Sequence, residues 1–252
     1  MIDLHSHVLP GLDDGVRTLD EAVALARAAV ASGVRVLAAT PHVRADYPTS
    51  ADAMLAGVET VRAALAAEGI PLQLLPGGEL DLEFVHRLDA DALARYGLGG
   101  NPRVLLVESP SLGLGVDVQT VVDGAMARGF TVVLAHPERN QAVQERPDRL
   151  APLVARGVLV QLTAASLDGR LGKRPRAAAL ALLDQGLAHL LASDAHAPEV
   201  REAGLASAVG AVGDDTLARW LVEDVPRAIL SGTRLPPRPE VERRRRRLPW
   251  SR

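Results

Sequence analysis

Met1-Ile2-Asp3-Leu4-His5-Ser6-His7-Val8-Leu9-Pro10-Gly11-Leu12-Asp13-Asp14-Gly15 opens the chain, and its reading decides what the remaining residues build. The apolar start predicts a strand. Side chains alternate faces along a strand, so His5 and His7 project to the same side, as a pincer for a metal ion would. In the Pro/Gly-rich loop that follows, Gly11 and Gly15 permit tight turns, and a carboxylate of Asp13 or Asp14 can swing back toward the same point. By itself such a pair reads first as two hydrogen-bonded histidines at a strand end. Repetition of the arrangement along the chain reverses that reading.

Working outward, Thr18 and Glu21 have the spacing of a capping box, and Val23, Leu25, Ala26, Ala29 and Val30 continue a helix that Gly33 ends. Residues 34–40 predict a buried strand that delivers His42 just past its end. A helix follows over 51–68, with Met54, Leu55, Val58, Val61 and Leu65 on one face, and then a strand over 72–75 that leads through Pro-Gly-Gly to Glu79. A short helix over 89–96 precedes a strand over 104–107 ending in Glu108. A helix over 116–128 precedes a strand over 131–135 ending in His136. Helices over 147–156 and 175–185 flank a strand over 158–162, and a last strand over 187–192 ends in Asp194 and His196. Residues 200–212 and 216–230 read as helices on the outside. Strands alternating with helices imply a parallel sheet with right-handed crossovers. Seven such units predict an α/β fold, a distorted (β/α)7 TIM-like barrel. In such barrels the active site forms at the C-terminal strand ends, where these acids and imidazoles fall.

Composition narrows the class. The chain has 252 residues, which is one domain for an α/β barrel, here expected over 1–233 with a basic Pro/Arg-rich tail over 234–252. No apolar run reaches the roughly 18 residues of a membrane helix, and no secretory signal is visible, so a cytoplasmic location is expected. With no Cys, disulfides and thiolate metal sites are excluded, leaving imidazole and carboxylate as strong ligands. A net charge of −3 gives no overall attraction to nucleic acid. The arginine run over 243–247 reads as a solvated tail.

His5, His7, Asp14, His42, Glu79, Glu108, His136, Asp194 and His196 form nine candidate ligands. One zinc or manganese ion takes roughly three to five protein groups, so the set fits two or three divalent ions, with Glu79 and Asp194 as bridges. Without cations, the converging carboxylates would repel one another and take up protons.

His5-Ser6-His7, Leu12-Asp13-Asp14-Gly15, Thr40-Pro41-His42, Gly78-Glu79, Glu108, His136-Pro137-Glu138-Arg139 and Ser193-Asp194-Ala195-His196 together resemble the polymerase and histidinol phosphatase (PHP) superfamily of metal-dependent phosphoesterases. They are most similar to its CpsB/CapC branch, manganese-dependent protein-tyrosine phosphatases linked to capsular and exopolysaccharide synthesis. The resemblance runs from Met1 to about Leu230. It implies the PHP fold, with one ion on His5, His7, Glu79 and Asp194. Glu79 bridges to a second ion with Glu108 and His136, and Asp14, His42 and His196 hold a third. It also implies manganese as the metal, with iron or zinc as alternatives, and phosphate-binding arginines at Arg139 and Arg201. The implied partner is a phosphotyrosine protein, such as a polysaccharide-synthesis tyrosine kinase, with oligomerisation left open.

The expected chemistry is phosphate-monoester hydrolysis by a metal-held hydroxide without a covalent intermediate. Histidinol phosphate or another small phosphomonoester is an alternative substrate on the same ligands, and a non-catalytic metal-binding regulatory module is an alternative role. The residues 109–116 beside Glu108 carry no aromatic to stack on a tyrosine ring. An amidohydrolase would want a Lys near its fourth strand, which is missing. His86 and His189 read as structural residues.

Overall fold

Short parallel strands cannot be joined by tight turns, so each needs a crossover before the next can form, and helices supply it. The computed structural model of the chain describes residues 1–108, 116–197 and 204–240. Its strands are β1 (Ile2–Asp3), β2 (Val36–Ala39), β3 (His42–Arg44), β4 (Tyr47–Pro48), β5 (Gln73–Pro76), β6 (Glu79–Leu80), β7 (Val104–Glu108), β8 (Thr131–Ala135), β9 (Leu159–Thr163) and β10 (Leu190–Ala192). They pair in the order β1-β2-β5 in one sheet and β10-β9-β8-β7-β6-β3-β4 in the other. Every pairing is parallel except the β3–β4 hairpin. A parallel bridge between Ser6 and Ala195 joins the two sheets. Beside it the His7 N–H donates to the Ala195 carbonyl at 2.8 Å and the Asp194 N–H to the His5 carbonyl at 3.0 Å. The expected α/β alternation in a single domain is present, as two sheets stitched together rather than one uninterrupted ladder.

Two strands expected as single runs are cut. β2 stops at Ala39, because Pro41 has no N–H for a ladder, and His42 begins β3 in the other sheet. Gly77 and Gly78 divide β5 from β6 in the same way. A Cβ on Gly78 would lie 2.9 Å from the Tyr96 ring, so the chain passes there only as glycine. His42 and Glu79, expected beyond strand ends, therefore lie within strands and face each other in the β3–β6 register.

The helices form for local reasons. Thr18 and Glu21 make the reciprocal capping box at the start of Leu19–Ala31. Helix Ala51–Ala67 buries Met54, Val58, Val61 and Leu65, but Leu55, one step round the helix, is 40% exposed. The helix expected over 147–156 is a 3-10 turn, Pro147–Leu150, then Ala151–Ala155, because Pro152 cannot donate to a continuous ladder. Residues 216–230 likewise widen into a π turn, Trp220–Asp224, just before Pro226. Inside, Leu37, Leu106 and Leu134 are buried in one apolar cluster, each contributing about 1.5–3 kcal/mol.

Part of the expected tail is packed. The Trp220 indole N–H donates to the Pro236 carbonyl at 3.1 Å, and Arg238 donates to the carbonyls of Ala188 at 3.1 Å and Leu183 at 2.9 Å. His189 takes the structural role expected of it, its Nδ1 accepting from the Val160 N–H at 3.1 Å. His86 does not sit in the core: it is exposed and borders a cleft with Leu82, Glu83, Thr120 and Val121. No helix among the described residues is long and apolar enough to cross a membrane. The stretch 109–115, Arg201 and the arginine run 243–247 lie outside the described residues.

Candidate metal centre

All nine candidate ligands converge. Their donor atoms fall into four groups, His5/His7/Asp194, His5/Glu79/His136, His42/Glu79/Glu108 and His7/Asp14/His42/His196, with the atoms in each within 4.8 Å of one another. These groups overlap more than the three sets implied by resemblance, which share Glu79 alone. His7 also reaches the Asp14 set, because its ring stacks on His196 with centroids 3.9 Å apart. Glu79 stands between two groups. Its Oε1 lies 2.8 Å from His136 Nε2, while its Oε2 lies 3.0 Å from His42 Nδ1 and 3.3 Å from His5 Nε2.

The backbone is bent to deliver some of these groups. Among the described residues, the non-glycine positions with positive φ are His136 at 39° and Asp194 at 52°. A left-handed residue with a side chain costs on the order of 1–2 kcal/mol, and both sit where a strand end turns its side chain inward.

Hydrogen bonds orient the imidazoles. His5 Nδ1–H donates to Gln161 Oε1 at 2.9 Å, and His7 Nδ1–H donates to Asp13 Oδ2 at 2.7 Å. Each ring so held turns its Nε2 inward, and the two Nε2 atoms face each other at 3.2 Å with Asp194 Oδ1 3.2 Å from one and 3.4 Å from the other. Lone pairs at that distance require a positive charge between them. Glu79 Oε2 and His42 Nδ1 are likewise buried without a hydrogen-bond partner. A donor set of imidazole and carboxylate with orphaned, buried acceptor atoms fits a divalent cation.

Electrostatics agree. Burial would raise the Glu79 carboxyl, yet the His5, His136 and His42 imidazoles hold it well below the usual range. Burial and the imidazoles of His5, His7 and His136 act on Asp194 in the same opposed way, and it too ends well below. His7 is pushed down by burial but lifted well above its ordinary value by Asp13, Asp194 and Glu79. Burial is also outweighed at Asp13, where His7 and the N–H groups of Gly15 and His42 bring the carboxyl down to about 2. The pocket demands positive charge, and protons and metal ions compete to supply it.

Arg139, expected as a phosphate ligand, stands at the edge, its Nη1 donating to Asp194 Oδ2 at 2.5 Å. Three contributors escaped the sequence reading. Asp13 belongs to the loop motif, but nothing in its spacing marks it as the partner of His7. Gln161 carries a readable signal, a polar side chain between the apolar Val160 and Leu162 of β9. Arg44, whose Nη1 lies 3.4 Å from both Glu108 oxygens, gave no signal, because only the hairpin brings it there.

Comparison with known proteins gives the family of the chain. A family model described as capsular polysaccharide synthesis, CpsB/CapC, matches residues 1–230. Tyrosine-protein phosphatase YwqE of Bacillus subtilis (strain 168) is 35% identical over 203 residues, covering 80% of this chain and 79% of that protein. Tyrosine-protein phosphatase CpsB of Streptococcus agalactiae serotype V is 29% identical over 216 residues, covering 82% and 88%. A crystal structure from work on YwqE from Bacillus subtilis and CpsB from Streptococcus pneumoniae, described as unique metal-dependent tyrosine phosphatases, superposes with a TM-score of 0.84. That alignment has 31% sequence identity and covers 96% of this chain and 100% of the other. A resiniferatoxin-binding protein from Rhodobacter sphaeroides, at 17% identity and TM-score 0.58, shares the fold alone.

Proposed function

The chain belongs to the CpsB/CapC family of capsular polysaccharide synthesis proteins, and from that membership we propose that it is a metal-dependent phosphatase of phosphotyrosine proteins. It holds two or three divalent ions, manganese foremost, on His5, His7, Asp14, His42, Glu79, Glu108, His136, Asp194 and His196. It acts in the cytoplasm, with a polysaccharide-synthesis tyrosine kinase among its substrates. The observation that supports this reading is the convergence of nine candidate donors on one centre, where two imidazole nitrogens face each other at 3.2 Å and Glu79 Oε2 is buried without a hydrogen-bond partner, an arrangement that calls for positive charge. The relatives named tyrosine-protein phosphatases support the substrate class.

Divalent ions bound there would lower the pKa of a coordinated water from 15.7 to about 7 and neutralise phosphoryl charge. The chain's own groups set the geometry. Asp13 and Gln161 hold His7 and His5 with Nε2 turned inward, which removes the cost of choosing that tautomer when an ion binds. Arg139 keeps one N–H on Asp194 and turns the rest of its fork to a phosphoryl oxygen. Arg201 is the proposed second phosphate donor. The buried floor of His5, His7, Glu79 and Asp194 excludes bulk water, strengthening each of these contacts. A phenol of pKa about 10 leaves without a strong acid, so no dedicated proton donor is required.

Hydrolysis of phenyl phosphate by the manganese-loaded protein tests the reading. Chelation is expected to abolish turnover, and Glu79→Ala to lower it at least about 100-fold. Activity that survives both treatments overturns the proposal.

A further inference from the structure

The mouth of the centre is marked by its partly exposed side chains. Asp14, Glu108, Arg139 and Arg44 are 44%, 23%, 32% and 26% exposed, against 0% for the side chains of His5, His7 and Glu79. Tyr47 stands beside them. The β3–β4 hairpin turns through Ala45 and Asp46 and sets Tyr47 directly opposite Arg44. The half-buried Tyr47 ring lies nearly parallel to the His42 imidazole, 17° between planes and 5.9 Å between centroids. The Arg44 guanidinium is 5.2 Å from the Tyr47 centroid. Tyr47 thus extends a row of rings, with His196 to His7 at 3.9 Å and His7 to His42 at 4.6 Å, from the centre out to its mouth.

Aromatic residues make up 2% of the chain, so their placement is informative. Phe130 and Tyr96 are buried in the core, and Trp220 is bonded to the C-terminal segment. Phe84 lies under Arg87 on the helix Leu82–Arg87. Among the described residues, Tyr47 is the Phe, Tyr or Trp ring that touches a candidate ligand. It also supplies the aromatic that the stretch 109–116 lacks.

We infer that Tyr47 is the specificity-determining residue of the site, the surface on which the ring of an aryl phosphate stacks while its phosphoryl group occupies the centre. This rests on the phosphatase reading above and adds the residue that selects aryl over alkyl esters. Aromatic pairs are favourable beyond their buried area by an amount that corresponds to about a two- to twelvefold difference in affinity. An alkyl phosphate reaches the same ions and the same arginine without that contact.

Calorimetric titration of the manganese-loaded full chain with phenylphosphonate and methylphosphonate, neither of which can be hydrolysed, tests the inference. The wild type is expected to bind phenylphosphonate about tenfold more tightly. Tyr47→Ala is expected to bring the ratio within about twofold, and Tyr47→Phe to keep it, because the ring and not the hydroxyl makes the contact. The ratio is insensitive to how much of a variant is folded, since both ligands report on the same molecules. A wild-type ratio near one, a tenfold ratio that survives Tyr47→Ala, or a ratio lost in Tyr47→Phe overturns this assignment and leaves the phosphatase reading standing. Failure of the wild type to bind either phosphonate overturns both.

Discussion

Asp13 shows how much of the centre depends on a residue that is not itself a candidate ligand. Its Oδ2 accepts from His7 Nδ1–H at 2.7 Å and the His42 N–H at 3.0 Å, and its Oδ1 accepts from the Gly15 N–H at 2.9 Å. Every partner is a donor. Asp13→Asn must therefore turn an NH2 group toward at least one N–H, which releases the His7 tautomer or unseats the loop. Manganese affinity is expected to fall about 10- to 100-fold, measured by equilibrium titration. Unchanged affinity would show that His7 needs no orienting partner. Legibility at this scale was uneven. Eight of the nine candidate ligands could be found because each is a polar residue at or just past the end of an apolar run, and Asp14 because its loop follows His7. Asp13 could not be told from Asp14, since neighbouring carboxylates in a loop differ only once the loop's path is known.

Among the elements, the short β6 carries the greatest functional consequence, because it holds Glu79. Its approach is set by Gly78, where an added Cβ would meet the Tyr96 ring at 2.9 Å. Tyr96 cannot step aside, since its hydroxyl donates to the Thr49 carbonyl at 3.0 Å. Gly78→Ala is expected to cost about 1–3 kcal/mol in urea unfolding and to weaken manganese binding by shifting β6. A variant with wild-type stability would show that the Tyr96 pocket is slack. The capping box at Thr18 and the strand Thr131–Ala135 were readable in full, because the hydrogen bonds and periodicity that make them are local. The breaks at Pro41 and Gly77-Gly78 were not. They separate two sheets, and a run of apolar residues does not reveal which sheet it joins.

At the scale of the molecule, the end of the described chain is fastened to the body through Arg238 and the environment of His189. Burial and the charge of Arg238 bring His189 down to about 4 from an ordinary value of 6.5. The folded state then binds fewer protons than the unfolded chain between those values. Stability is full above pH 6.5 and is lost as pH falls toward 4, by about 2 kcal/mol at pH 5 from this group. Denaturant unfolding at pH 7.5 and pH 5, with chelator present, should show that loss. His189→Asn, whose Oδ1 can still accept from the Val160 N–H, should remove it, and an equal loss in the variant would assign the acid sensitivity elsewhere. The fold class and the set of candidate ligands were determined by sequence, because hydrophobic periodicity and the chemistry of imidazole and carboxylate are properties of residues and their spacing. Tertiary structure alone decided which ligands share a group, which hydrogen bonds set their tautomers, and that Tyr47 and Arg44 stand at the mouth. Those are distances between residues far apart in the chain, and they come into being only when the sheets pair.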